Sequence, residues 1–260
     1  MHGPDLVDVV VTLVISIGLA GAAYIRGVLD TKGTLVASVM GIVIGFSAGW
    51  EYVMLLLLYL VTSFAVTLYG YQAKKAAGVA EGKRGERGWL SVLANGIVPT
   101  FIALLHLFEI PGVEPWMLSV LFVTAIAAAA ADTAASELGV LTRDPVLITK
   151  PSLRVPPGTN GGVSVRGQGF ALAASAYTVF IGTAVFIVHD SLEGSIDTQA
   201  LNSMILLIPI AVGMGFISCQ IDSVLGATVE TSGHLGKNGV NLVSIGITTI
   251  VTFLLLQLLV

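Results

Sequence analysis

The sequence predicts an all-α fold, a polytopic transmembrane bundle of about eight helices forming one integral membrane domain over residues 1–260. Three observations carry that prediction. Charged residues make up 11% of the chain and apolar residues 55%, with a mean hydropathy of +0.92, whereas a soluble domain carries roughly a quarter charged residues. Apolar runs approaching the roughly 20 residues that a bilayer core demands recur from one end to the other. All 12 Lys and Arg residues fall in alternate connections between those runs.

The runs lie at about 7–25, 34–50, 52–69, 91–108, 116–131, 169–188, 201–218 and 240–259, identified by apolar length and pattern. Before the first, the stretch MHGPDLVDVV is acidic and lacks the positive region of a secretory signal peptide, so that run is expected to be a retained helix. The second carries Gly41, Gly45 and Gly49, small residues four apart that let helix backbones approach in lipid. Trp50, Tyr52 and Trp116 flank spans where amphipathic rings anchor helices at the interface. Both features read as packing and anchoring, without chemistry.

The connections set the orientation. Arg26 and Lys32 occupy the first; Lys74, Lys75, Lys83, Arg84 and Arg87 the third; Arg143, Lys150, Arg154 and Arg166 the fifth; Lys237 the seventh. The even connections carry Glu51, then Glu109 and Glu114, then Asp190, Glu193 and Asp197, with no Lys or Arg. Basic residues are retained on the cytoplasmic side. A multi-pass protein of the cell membrane follows, with both termini external and the polar segment 132–167 facing the cytoplasm.

Composition and motifs exclude several classes. A net charge of -4 argues against a nucleic-acid binder, which presents a basic face. Cys219 is the lone cysteine, so an intramolecular disulfide and a cysteine metal site are both excluded. His2, His106, His189 and His234 show no ligand spacing, and no G-x-x-x-x-G-K-[ST] loop, HExxH motif or nucleophile elbow occurs.

Chemistry concentrates in Ala131-D-T-A-A-S-E-L-Gly139 and in Lys150-P-S-L-R-V-P-P-G-T-N-G-G-V-Ser164. Acidic groups at the end of a span are costly and mark functional sites. Asp132 ends the fifth span and Asp222 the seventh, and each opens a similar phrase, Asp132-T-A-A-Ser136 and Asp222-S-V-L-Gly226. Two carboxylates at equal depth can converge on Mg²⁺, which shares oxygen ligands with phosphates. Glu137 and Glu230 are placed to join them, although acids here also fit a headgroup-zone role. Pro156-P-G-T-N-G-G-V-Ser164 is too rich in Pro and Gly for a helix, and glycines adopting positive φ at Gly158, Gly161 and Gly162 would turn N–H groups into a phosphate nest. Lys150, Arg154 and Arg166 flank it as cationic partners, although an ordinary interhelical loop has the same composition. In the third connection Lys74 and Lys75 stand nearest a span, with contact to anionic headgroups as the alternative. Asn95, Asn238 and Asn241 lie near the cytoplasmic ends of the fourth and eighth spans.

With Leu93-A-N-Gly96, Asn238-G-V-Asn241 and Asp222-S-V-L-G-A-Thr228, these motifs span nearly the whole chain. They resemble the integral membrane family that includes animal transmembrane protein 19 and the plant phytyl-phosphate kinase of vitamin E synthesis. That family is distantly similar to phytol and dolichol kinases and to membrane cytidylyltransferases. The resemblance implies a CTP-dependent kinase that converts an isoprenyl monophosphate to its diphosphate, with Mg²⁺ as cofactor and membrane lipid as surroundings. It implies Asp132, Glu137, Asp222, Lys150 and Arg154 as catalytic, the first three also holding the metal. Lys74, Asn95, Ser136, Pro157, Gly158, Thr159, Asn160, Gly161, Gly162, Ser164, Ser223, Asn238 and Asn241 would bind substrate. A cytidylyltransferase making a CDP-activated lipid, a transporter and a structural membrane protein are the alternatives. Acids gathered at one membrane face, with none at a span centre, weigh against an alternating-access carrier.

Overall fold

The computed structural model describes residues 6–82, 84–142, 144–194 and 198–259. Lys83, Arg143, Asp197 and His2 lie outside the described residues. Each of the eight apolar runs forms a helix: α1 (Leu6–Ile25), α2 (Thr31–Ser47), α3 (Trp50–Leu68), α5 (Trp89–Leu105), α6 (Pro115–Gly139), α7 (Val165–Glu193), α8 (Thr198–Leu225) and α9 (Lys237–Leu259). A short helix, α4 (Tyr71–Ala76), lies in the third connection. Five helices among the described residues are long and apolar enough to cross a membrane, and three shorter apolar helices accompany them.

The axis of the bundle is α6. Pro115 opens it, and its most apolar 18-residue window is 94% buried, as befits a helix that is apolar all round. Its run Ala127–Ala131 keeps the core side thin, and α3, α5, α7, α8 and α9 all pack against it. Close approach is tightest where Gly215 of α8 faces α6: a Cβ there would sit 3.0 Å from the Cβ of Ala127. The Gly41–Gly45 face is a packing face, as the spacing implies. A Cβ on Gly41 would lie 2.9 Å from Ser16 Oγ, and one on Gly45 would strike Thr12 of α1.

Two features depart from the sequence reading. Helix α6 does not stop at residue 131 but continues to Gly139, because D-T-A-A-S-E-L contains no Pro or Gly and can keep its hydrogen bonds while its polar face leaves the bilayer. The fifth connection folds into a small antiparallel sheet of order β2-β1-β3, from β1 (Val146–Leu147), β2 (Lys150–Arg154) and β3 (Gly162–Val163).

The odd connections meet at one end. Leu29 of the first bridges Arg87 of the third. Glu81 of the third pairs with Lys237 at 3.1 Å. Gly161 of the fifth lies against Ala227 beyond α8. At the other end Tyr52 Oη lies 2.6 Å from Ser119 Oγ and 3.0 Å from His106 Nε2.

Candidate active site

At the end where the odd connections meet, a cavity of about 370 Å³ opens between α6, α7, α8, α9 and the Pro157–Gly162 loop. Helical periodicity puts the right residues on its walls. From α6 come Asp132, Ala135, Ser136 and Gly139; from α8 and the turn after it come Cys219, Asp222, Ser223, Gly226 and Glu230. Positions three, four and seven apart share a helix face. Asp132 and Asp222 face each other within hydrogen-bonding reach, and Glu230 is close enough to act electrostatically on both.

Asp222 has local support. Ser244 Oγ of α9 lies 3.1 Å from Asp222 Oδ2 and 2.9 Å from the Asn241 carbonyl, so its one proton serves one or the other. Gln220 Nε2 donates to Gln168 Oε1 at 2.6 Å, tying α8 to α7 two residues before Asp222. Immediately after α8 the chain makes a single π-helical turn, Gly226–Glu230. Such turns recur at functional sites because the widened turn re-aims side chains, and this one brings Glu230 to the cavity.

The glycine-rich loop forms one wall of the cavity. Gly158 and Gly161 have φ of 84° and 74°, a region only glycine enters without strain. Thr159 and Gly162 donate their N–H groups to the carbonyls of Pro156 and Thr159, and among the described residues those of Gly158, Asn160 and Gly161 make no backbone hydrogen bond. Ser164 caps α7 by accepting from Gly167 N at 3.1 Å, and Thr142 Oγ1 donates to it at 2.8 Å. Gly167 and Gln168 of the first turn of α7 line the wall, their amides held by Ser164 Oγ and Ser164 O.

Residues 14–249 match the family described as Integral membrane protein DUF92. The chain belongs to that family. It is 32% identical over 280 residues to Protein PGR of Arabidopsis thaliana, covering 92% of this chain and 93% of the relative. Over 217 residues it is 30% identical to an uncharacterized membrane protein of Methanocaldococcus jannaschii, covering 83% and 81% of the two chains. Protein VTE6, chloroplastic, of Arabidopsis thaliana is 26% identical over 233 residues, 88% of this chain and 66% of the relative. No solved structure matches.

In this DUF92 member the cavity gathers Asp132, Ser136, Glu137, Pro157, Gly158, Thr159, Asn160, Gly161, Gly162, Ser164, Asp222, Ser223 and Asn241 on its walls. Other expected residues lie elsewhere. Lys150 and Arg154 sit on the exposed strand β2, and Arg154 pairs with Asp144 at 3.7 Å; a strand directs them into solvent, away from the nest. Arg166 is likewise exposed, at the outer rim of α7. Lys74 lies behind the wall, its ammonium donating to the carbonyls of Val66 and Thr67 and to Glu137 Oε2. That pairing occupies Glu137, and among the described residues no group of three or more His, Cys, Asp and Glu is arranged to hold a metal. The expected trio of Asp132, Asp222 and Glu137 is therefore not assembled; the pair Asp132–Asp222 is. Gly162 belongs to β3 and has no positive φ; it is small because a Cβ would sit 2.9 Å from Thr159 O. Asn95 is buried in α5, donating to Ser91 O at 2.8 Å, and Asn238 does not line the cavity.

Lys237 is the residue the sequence reading passed over. It lines the cavity, lies within electrostatic reach of Asp132 and Glu137, and is held by Glu81. Burial works to raise the Glu81 carboxyl, but the charge and hydrogen bond of Lys237, with Arg87 beyond, outweigh it and hold that carboxyl below its ordinary range. The signal was available: Lys237 opens an apolar helix three residues before Val240, so its side chain shares that helix's inward face.

Proposed function

We propose that this protein is a CTP-dependent kinase that phosphorylates an isoprenyl monophosphate, of the phytyl or geranylgeranyl type, to the diphosphate. The single observation that carries the reading is Asp132 facing Asp222 in a cavity walled by a phosphate-sized glycine loop. Membership of the DUF92 family supports it, as does similarity to Protein VTE6, chloroplastic. CTP as donor follows from the family resemblance.

The donor set suits Mg²⁺, which takes one or two carboxylates and completes its shell from phosphates and water. Asp132 and Asp222 would hold it, and bound there it would neutralise the charge of the phosphates. With Glu137 neutralised by Lys74, the cavity wall sets three acidic groups, Asp132, Asp222 and Glu230, against the ammonium of Lys237. A bare nucleotide is repelled by that balance, so donor binding depends on the cation.

The residues then act by positioning, which is most of what phosphoryl transfer requires. Lys237 supplies a cation to the donor phosphates, and the N–H groups of Gly158, Asn160 and Gly161 cradle them. A phosphate oxygen of the acceptor, already ionised, attacks the γ-phosphorus; the new P–O bond forms as the bond to the β-phosphate oxygen breaks, and CDP leaves with that electron pair.

The test uses purified protein in detergent with Mg²⁺, geranylgeranyl monophosphate and CTP labelled at the γ- or the α-phosphate. The account expects γ-label in the lipid diphosphate and release of CDP. Entry of α-label into lipid with release of pyrophosphate identifies a cytidylyltransferase, and no lipid product with any nucleoside triphosphate removes the kinase reading.

A further inference from the structure

Arg87, like Lys74, is a buried cation of the third connection, but unlike Lys74 it has no carboxylate bonded to it among the described residues. It is 7% exposed, yet its Nε–H has no hydrogen-bond partner, and its Nη1 reaches Ser91 Oγ only at 3.4 Å. An unmatched buried guanidinium N–H costs a fold free energy unless a ligand answers it. Its backbone does separate work, donating to Val28 O at 2.9 Å and accepting from Asp30 N at 3.2 Å. The side chain is therefore not needed for the loop to close.

The guanidinium stands at the mouth of a slot between α1, α2, α3 and α5, whose wall is almost wholly apolar and includes Leu19, Ala20, Leu56, Leu57 and Val92. The enclosed part of the slot is small, about 60 Å³, far less than a whole isoprenyl chain occupies, so it can take only the head end of a single chain, the remainder running on along the open side of the slot. Its head end adjoins the candidate active site. Tyr59 lines the slot, and its hydroxyl lies 3.3 Å from Thr133 Oγ1, the residue after Asp132. Arg87 is within electrostatic reach of both Tyr59 and Asp132.

We infer that this slot seats the head end of the acceptor lipid: a single-chain isoprenyl monophosphate whose phosphate binds Arg87 and whose first carbons lie between α1, α2, α3 and α5. Charge complementarity selects the occupant. A buried Arg fork answers a phosphate through paired charge-assisted hydrogen bonds, and apolar walls answer an uncharged branched chain. The arrangement aims the acceptor phosphate at the Asp132 side of the cavity while the donor enters through the glycine loop. The inference rests on the kinase reading for its choice of ligand, but its test needs no turnover.

Two measurements on the full-length protein decide it. Geranylgeranyl monophosphate carrying a diazirine on its chain is photolysed with wild-type protein without nucleotide, and adducts are mapped by mass spectrometry. Adducts on Leu56, Leu57 and Val92 are expected. Adducts concentrated on Phe101 and Phe253, which line the larger apolar groove between α5, α6 and α9, overturn the assignment. Separately, Arg87→Gln should weaken binding of geranylgeranyl monophosphate at least tenfold while leaving the weak binding of the uncharged alcohol unchanged. Equal affinity of Arg87→Gln and wild type for the monophosphate overturns it, whatever the kinase assay shows. If Arg87→Gln does not fold, Ala20→Phe, which fills the slot without touching the charge, must produce the same loss of monophosphate binding for the inference to stand. An inactive protein that still shows the slot adducts removes the kinase reading and keeps the lipid seat.

Discussion

Lys74 and Glu137 form a buried ion pair, Nζ to Oε2 at 2.6 Å, with side chains 1% and 9% exposed. It joins α4 to the cavity end of α6. All three ammonium protons are used, two on the carbonyls of Val66 and Thr67 at the end of α3. The pair thus ties off α3 while setting the wall on which Asp132 sits one and a half turns earlier.

Removing one partner strands the other. Glu137→Gln and Lys74→Met should each cost roughly 3–5 kcal/mol of stability, whereas an apolar replacement of both should cost far less than the sum. A double-mutant cycle on unfolding in mixed micelles measures this. Additive losses would show that the pair is not coupled, and a selective shift in Mg²⁺ dependence for Glu137→Gln would return Glu137 to the metal site.

The Glu81–Lys237 pair is more exposed and should matter to ligand rather than fold. Its stabilisation is at most about 1 kcal/mol. Because the Glu81 carboxyl is held below its ordinary value, that contribution is present at neutral pH and is lost as the pH falls through the folded-state value, below the ordinary 4.5. Wild type and Glu81→Gln should therefore differ slightly in stability at pH 7 and converge in acid. A gap that widened in acid would reverse the sign. Lys237→Ala should raise the KM for nucleotide much more than that for lipid.

Gly161 is constrained twice. Its φ of 74° strains any L side chain, and a Cβ would sit 2.8 Å from Ser223 O besides striking Ala227. Gly161→Ala should cost roughly 1–3 kcal/mol locally, lift the loop from the end of α8 and weaken nucleotide binding at least tenfold. Gly169→Ala, with nothing near its Cβ position, is the matched control. Gly85 is unsuitable as one, since it is buried with φ of 92° and a Cβ would lie 3.0 Å from Leu68. Nucleotide affinity unchanged in Gly161→Ala would reduce PPGTNGG to a connecting loop.

Much of this was legible in the chain, for identifiable physical reasons. Apolar length revealed all eight major helices, because backbone groups in lipid must bond within their own segment. The positions of Asp132 and Asp222, each ending a span of the same direction, foretold their meeting. What could not be read was direction off the spans. Lys150 and Arg154 lie close in sequence to the glycine loop, but a strand turns them outward. Lys74, expected to meet substrate, is instead folded by α4 under α3 and paired with Glu137. Lys237 was read as a topology charge because Glu81, which holds it, is remote in sequence, although its register with Val240 already put it on the inward face of its helix.

Orientation is open to direct labelling. Lys75 and Glu109 are both exposed and belong to odd and even connections. Cysteines placed there, with the buried Cys219 changed to Ala, should react with an impermeant thiol reagent from opposite sides of sealed vesicles, Lys75→Cys from the cytoplasmic side. Reaction of both from one side would contradict the alternation of basic connections.

The central claim is that Asp132 and Asp222 together hold the cation on which transfer depends, and the rate of γ-phosphate transfer to geranylgeranyl monophosphate across a Mg²⁺ titration tests it most directly. Asp132→Asn and Asp222→Asn preserve shape but remove a charge, so each should lose on the order of 10²-fold or more in kcat/KM and remain folded in the membrane. Nucleotide binding in both variants should also lose its Mg²⁺ dependence. Wild-type turnover by either variant, at low as well as high Mg²⁺, would contradict the account and remove that aspartate from the site.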